Sequence, residues 1–109
     1  MINKLAKEIH KWAKKKGWWD TERNTGEIFA NFHSEISEAW EEWRNGKSPT
    51  LTYYGDVPNK PEGIPIELAD CIIRILDYCA YYEIDIEKAI KVKMEYNKTR
   101  SIRHGGKKA

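Results

Sequence analysis

The sequence predicts an all-α fold, a four-helix bundle-like domain. Three observations carry that prediction. Apolar residues recur at helical spacing in four segments, and no stretch alternates convincingly as a strand. The segments are bounded by capping and breaking residues. At 109 residues with 7 Gly and 4 Pro, the chain suits one compact domain spanning 1–109.

The first helix is predicted from Ile2 to Lys16. Ile2, Leu5, Ala6, Ile9, Trp12 and Ala13 line one side, and Gly17 ends it. The second runs from Thr25 to Asn45, with Asn24 and Glu27 at capping-box spacing. Gly46–Gly63 carries three prolines and reads as a loop. It is longer than most helix connections, and Tyr53 and Tyr54 within it are placed to cover a ligand or another subunit. The third helix spans Ile64 to Tyr81, with Pro65 in its permissive first turn. It is apolar on most sides, which makes it central to the core and suggests a second copy to help cover it. The fourth runs from Ile86 to Ser101, capped by Asp85. Residues 102–109, basic and glycine-rich, are expected to form a mobile tail.

Two acidic pairs are the chemical signal. Glu35-x-x-Glu38 and Glu67-x-x-Asp70 each place two carboxylates three residues apart, on one face of a helix. With Glu35 at 0° on a helical wheel, Glu38 falls at about 300° and Glu42 at about 340°, while the apolar residues from Ile28 to Trp43 span about 20–140°. The acidic stripe therefore borders the apolar face instead of opposing it. If the two helices pack antiparallel, four carboxylates converge, and like charges gathered so closely call for a cation. Oxygen ligands select a hard divalent ion, Mg²⁺ first, with Mn²⁺ able to substitute. Ordinary salt bridges to neighbouring Lys and Arg are the simpler reading of the same residues.

Other features narrow the function. Charged residues make up 33%, yet the net charge is +2, so there is no strong nucleic-acid signal. No apolar run reaches the length of a membrane span, and none at the N-terminus resembles a secretory signal, so a cytoplasmic location is expected. Cys71 and Cys79 lie eight residues apart on one helix, about 12 Å in rise, too far for a disulfide. They read as small buried apolar residues. Trp12, Trp40 and Trp43 fall on apolar faces and belong to the core or a subunit interface. Lys93, Tyr96, Asn97 and Arg100 share one side of the fourth helix, a placement that suits phosphate contacts.

Taken together, these residues resemble the MazG-like, all-α nucleotide pyrophosphohydrolases. The likeness rests on the ExxE…ExxD arrangement, with 28 residues between Glu38 and Glu67, on the helix start GIPIELAD, and on KMEYNKTR followed by RHGGKK. It covers Phe32 to Lys108 and is closest to the small single-domain branch. Members often carry a double glutamate ahead of the first pair, where this chain has Ser34. The resemblance implies hydrolysis of a nucleoside triphosphate to the monophosphate and pyrophosphate. Glu35, Glu38, Glu67 and Asp70 would be catalytic and hold the metal. Lys93, Tyr96, Asn97 and Arg100 would contact the phosphates and nucleotide, Trp19 and His33 would approach the base, and the protein would be a homodimer or homotetramer. A catalytically weak nucleotide sensor and a helical protein-interaction domain are the alternatives.

Overall fold

The computed structural model describes residues 1–100. Its elements are α1 (Ile2–Lys15), α2 (Thr25–Arg44), β1 (Tyr53–Tyr54), β2 (Pro61–Glu62), α3 (Ile64–Tyr81) and α4 (Ile86–Thr99). The mostly helical prediction holds for these residues. The helices end within one or two residues of the predicted positions, Ser101 and the 102–109 tail lying outside the described residues.

Local chemistry explains most boundaries. Asn24 caps α2 by accepting the Glu27 N–H at 2.8 Å, and Asp85 caps α4 by accepting the Lys88 N–H at 3.0 Å. The α1 and α2 helices each close on a left-handed glycine, Gly17 and Gly46. The α3 helix closes with the same pair of backbone hydrogen bonds, Glu83 N–H to Ala80 C=O and Ile84 N–H to Cys79 C=O. Here the left-handed residue is Glu83, at φ +55°, with a side chain that disfavours this conformation.

The loop prediction for residues 46–63 needs one correction. Tyr53–Tyr54 pairs antiparallel with Pro61–Glu62, Tyr53 opposite Glu62. Strands this short leave no alternation to read in the sequence. The hairpin runs straight into α3 through Gly63, whose φ of +120° and contact with the Leu51 carbonyl leave no room for a side chain.

The α3 helix is central, packed against α1 on one side and α2 on the other. The α4 helix lies against α1 and buries none of its residues. The four-helix bundle expected from periodicity is thus not closed within one chain: three helices pack together and the fourth stands off. The start of α4 is tied to the start of α1, where the Asn3 side chain donates to Asp85 at 2.7 Å and the Asn3 N–H to Glu87 at 2.9 Å. The N-terminal ammonium also pairs with Glu87. The Asn3 amide holds Asp85 below the usual carboxylate range, and the ammonium does the same for Glu87.

Burial is thin. The buried apolar residues among those described are Ala6, Ala13, Ile28, Ala39, Cys71, Leu76 and Cys79, and Ile28 is the one large side chain fully enclosed. Trp12, Trp40, Trp43, Leu68, Ile72, Val92 and Met94 are exposed in the single chain. The radius of gyration, 16.7 Å, exceeds the roughly 13 Å of a compact domain of this length.

The α1–α3 seam carries a polar network. Asp77 is 2% exposed. It accepts the Trp19 indole N–H at 2.9–3.0 Å and lies 2.8 Å from His10 Nδ1. The Trp19 ring stacks on Tyr81 at 3.9 Å, and His10 meets both rings edge-on. Three aromatic side chains and one carboxylate thus hold α1 and the turn after it to α3.

Two outcomes follow for stability. Asp77→Ala leaves the part-buried Trp19 indole N–H and His10 ring without their partner and lowers the unfolding free energy by about 2 kcal/mol. Chemical denaturation at neutral pH reads this as a lower midpoint with an unchanged slope. Glu83→Gly relieves the left-handed strain, offset by added chain entropy, and raises stability by about 0.5–1 kcal/mol, seen as a higher Tm.

Candidate metal centre

Glu35 and Glu38 come from the middle of α2, Glu67 from the first turn of α3. One carboxylate oxygen from each lies within 4.8 Å of the other two. The reason lies in how α2 packs. Its three buried residues are Ile28, Glu35 and Ala39, centred where the acidic stripe meets the apolar stripe, while Phe29, Ile36, Trp40 and Trp43 farther round stay exposed.

 Ile28, Glu35 and Ala39 share one edge of the helix. They fall at about 20°, 0° and 40° on the wheel that places Glu35 at 0°. Packing α3 against this edge buries Glu35 to 7% exposure and leaves Glu38 open to solvent.

The electrostatics follow from the crowding. Burial pushes the Glu35 carboxyl above its ordinary range, Arg74 pulls it back, and the charges of Glu38 and Asp70 push it up again. Glu67 is pushed up to about 7, first by burial and then by the nearby carboxyl of Glu38. Glu35 also faces a cation: Arg74 Nε lies 3.1 Å from Glu35 Oε1, at an angle that does not make a directed hydrogen bond. Glu35 Oε2 is buried and has no hydrogen-bond partner. A buried carboxylate oxygen without a partner, facing a group of like charges, is the condition that a divalent cation relieves. The donor set, carboxylate oxygens with an open side at Glu38, could hold a hard metal cation.

The other predicted residues are distributed as follows. Asp70 is half-buried and its charge is felt by Glu35 and Glu67, but it falls outside the group of three that converges. Its side chain is one methylene shorter than that of glutamate. His33 is exposed and borders an apolar hollow with Phe29, Phe32, Ile36, Cys71 and Ile75. The Trp19 ring and N–H are both engaged by Tyr81 and Asp77, so base stacking would require the indole to leave that network. Lys93 on α4 and Arg100 just past its end both lie against the Tyr96 ring, at 5.0 and 5.6 Å from its centroid. These residues and Asn97 are exposed, and α4 packs on α1, away from the acidic group on α2 and α3.

Two pairings escape sequence reasoning. Arg74 lies on the same strip of α3 as Glu67, but a charge-rich chain gives no means of choosing its partner. Glu42, next along the acidic stripe of α2, accepts the Tyr53 hydroxyl on both oxygens at 2.9 Å. That bond pushes the Tyr53 hydroxyl up to about 12, and Lys47 lies 4.5 Å from its ring centroid. Tyr53 therefore anchors the hairpin to α2 beside the acidic group. Cys71 and Cys79 are free and buried, as their spacing predicted.

Comparison with known protein families, curated proteins and solved structures finds no match to this chain.

The pH dependence has a definite sign. Because Glu67 titrates higher in the folded chain than when unfolded, the folded state holds more protons between about pH 4.5 and 7. The contribution of this group is therefore most favourable below the unfolded value and is lost as pH rises through about 7. In chelator, Glu67→Gln removes that loss and raises Tm at pH 8 by roughly 4–8 °C, the shift that about 1 kcal/mol produces in a small domain. At pH 5 the gain shrinks. Circular dichroism melts across this range measure both.

Proposed function

We propose that the chain is a Mg²⁺-dependent nucleotide pyrophosphohydrolase that converts a nucleoside triphosphate to the monophosphate and pyrophosphate. The observation that carries the reading is the convergence of Glu35, Glu38 and Glu67 around a buried, unpartnered oxygen of Glu35. The choice of substrate rests on the MazG-like motifs of the sequence. Glu35, Glu38 and Glu67 would hold the metal, with Asp70 joining them by a change of side-chain rotamer. When bound, the metal supplies Lewis-acid polarisation of the phosphoryl oxygens and a water of lowered pKa. Glu38, the most exposed of the three, is placed to orient a water for attack on phosphorus.

Lys93, Tyr96, Asn97 and Arg100 would bind phosphate and nucleotide. Since α4 stands apart from the acidic group in one chain, this reading requires either movement of α4 or a second copy. The exposed Trp40, Trp43, Leu68 and Ile72 support a homodimer or homotetramer, because apolar surface of this extent is rare on a monomer.

Turnover against ribo- and deoxyribonucleoside triphosphates with Mg²⁺ tests the reading. Monophosphate and pyrophosphate are the expected products, and Glu38→Gln lowers the rate by roughly 100-fold or more. Diphosphate and phosphate would overturn the proposed bond cleavage. Absence of both turnover and nucleotide binding would favour a helical interaction domain, to which the same exposed apolar surface would belong.

A further inference from the structure

Arg74 and Glu35 form an ion pair that is incomplete on both sides. An arginine and a carboxylate free to choose their geometry close into a fork, with two parallel hydrogen bonds that occupy both carboxylate oxygens. Here Arg74 Nε approaches only Glu35 Oε1, at 3.1 Å. Both Arg74 Nε and Glu35 Oε2 are buried without a hydrogen-bond partner. A buried polar atom left unsatisfied destabilises the fold. The arrangement is nevertheless held from the far side. The Arg74 guanidinium lies over the Trp18 ring, 5.2 Å from its centroid, in cation–π contact. Trp18 is itself fixed in the turn after α1, its backbone N–H donating to the Ala13 carbonyl and its ring edge-on to Trp12 at 5.2 Å.

We propose that Arg74 is a positioning residue for the metal centre: it takes one oxygen of Glu35, leaves the other for the cation, and is kept in register by Trp18. The inference rests on the metal reading of the acidic group. Its physical logic is that of an outer partner that orients a ligand without ligating. A guanidinium suits this task. It carries a permanent charge, it is planar enough to lie on an indole, and it has no lone pair to offer a metal. It also places a positive charge beside the one converging carboxylate that is buried, where repulsion from Glu38 and Asp70 is least screened. The link to Trp18 extends the centre to α1, which contributes no carboxylate to it.

The test is binding of Mn²⁺ alone, followed by calorimetry and by the electron paramagnetic resonance of free Mn²⁺, with folding checked by circular dichroism. Arg74→Met should weaken Mn²⁺ binding by about 10- to 100-fold, the range typical of lost outer partners. Arg74→Lys, which keeps the charge without the planar fork, should recover part of that loss. Trp18→Leu leaves both charges in place and should weaken Mn²⁺ several-fold. An ion pair that serves only folding would lower Tm in these variants without changing Mn²⁺ affinity in the folded protein, and that result overturns the proposal. Tighter binding by Arg74→Met would also overturn it, since Arg74 would then compete with the cation. Should Arg74→Met not fold, unchanged affinity in Trp18→Leu and Arg74→Lys overturns it equally. If the unsubstituted protein binds no Mn²⁺, the metal reading itself fails; if it binds and the variants match it, only the role of Arg74 fails.

Discussion

A carboxylate taken out of water needs partners, and α3 lies between two seams that each bury one. On the α1 side, Asp77 is supplied in full by the Trp19 indole and the His10 ring. On the α2 side, Glu35 meets Arg74 through one oxygen and has no partner for the other. The same helix therefore carries a closed polar network and an open one. The closed network accounts for how α1 and the turn at Trp18–Trp19 are held. The open network is where the structure leaves chemistry to be done. The difference follows from neighbours: Asp77 faces aromatic donors, whereas Glu35 faces two other glutamates that can accept but, when ionised, cannot donate.

The second constraint is area. Three packed helices with a core built largely of alanine and cysteine bury little apolar surface. The tryptophans of α2, Trp40 and Trp43, are exposed, and Phe29 and Ile36 are only partly covered at the edge of α3. This is the direct consequence of packing α2 through its acidic edge: bringing Glu35 into the seam turns the tryptophans outward. The burial of the acidic group and the exposure of the apolar arc are thus one event. The α4 helix adds to the uncovered surface with Val92 and Met94.

Much of this was legible in the sequence. Helix positions followed from periodicity, and the caps at Asn24 and Asp85 from local hydrogen-bonding chemistry. That Glu35 and Glu38 share one face of α2, and Glu67 and Asp70 one face of α3, followed from their i, i+3 spacing. These are short-range properties, decided by residues within one or two turns. The left-handed end of α3 at Glu83 and the two-residue strands were not legible, because neither carries its usual residue signal.

What the sequence determined by itself was the set of helices and the strip of each that carries charge, because backbone periodicity alone settles which residues share a face. Only the tertiary structure decided how those strips meet. It placed Arg74 on Glu35 rather than on another acid, drew Trp19 onto Asp77, and set α4 against α1 with its cations away from the acidic group. Such pairings depend on the angle at which one helix is rotated against the next. Burial, charge and shape fix that angle together, and no single stretch of sequence contains all three.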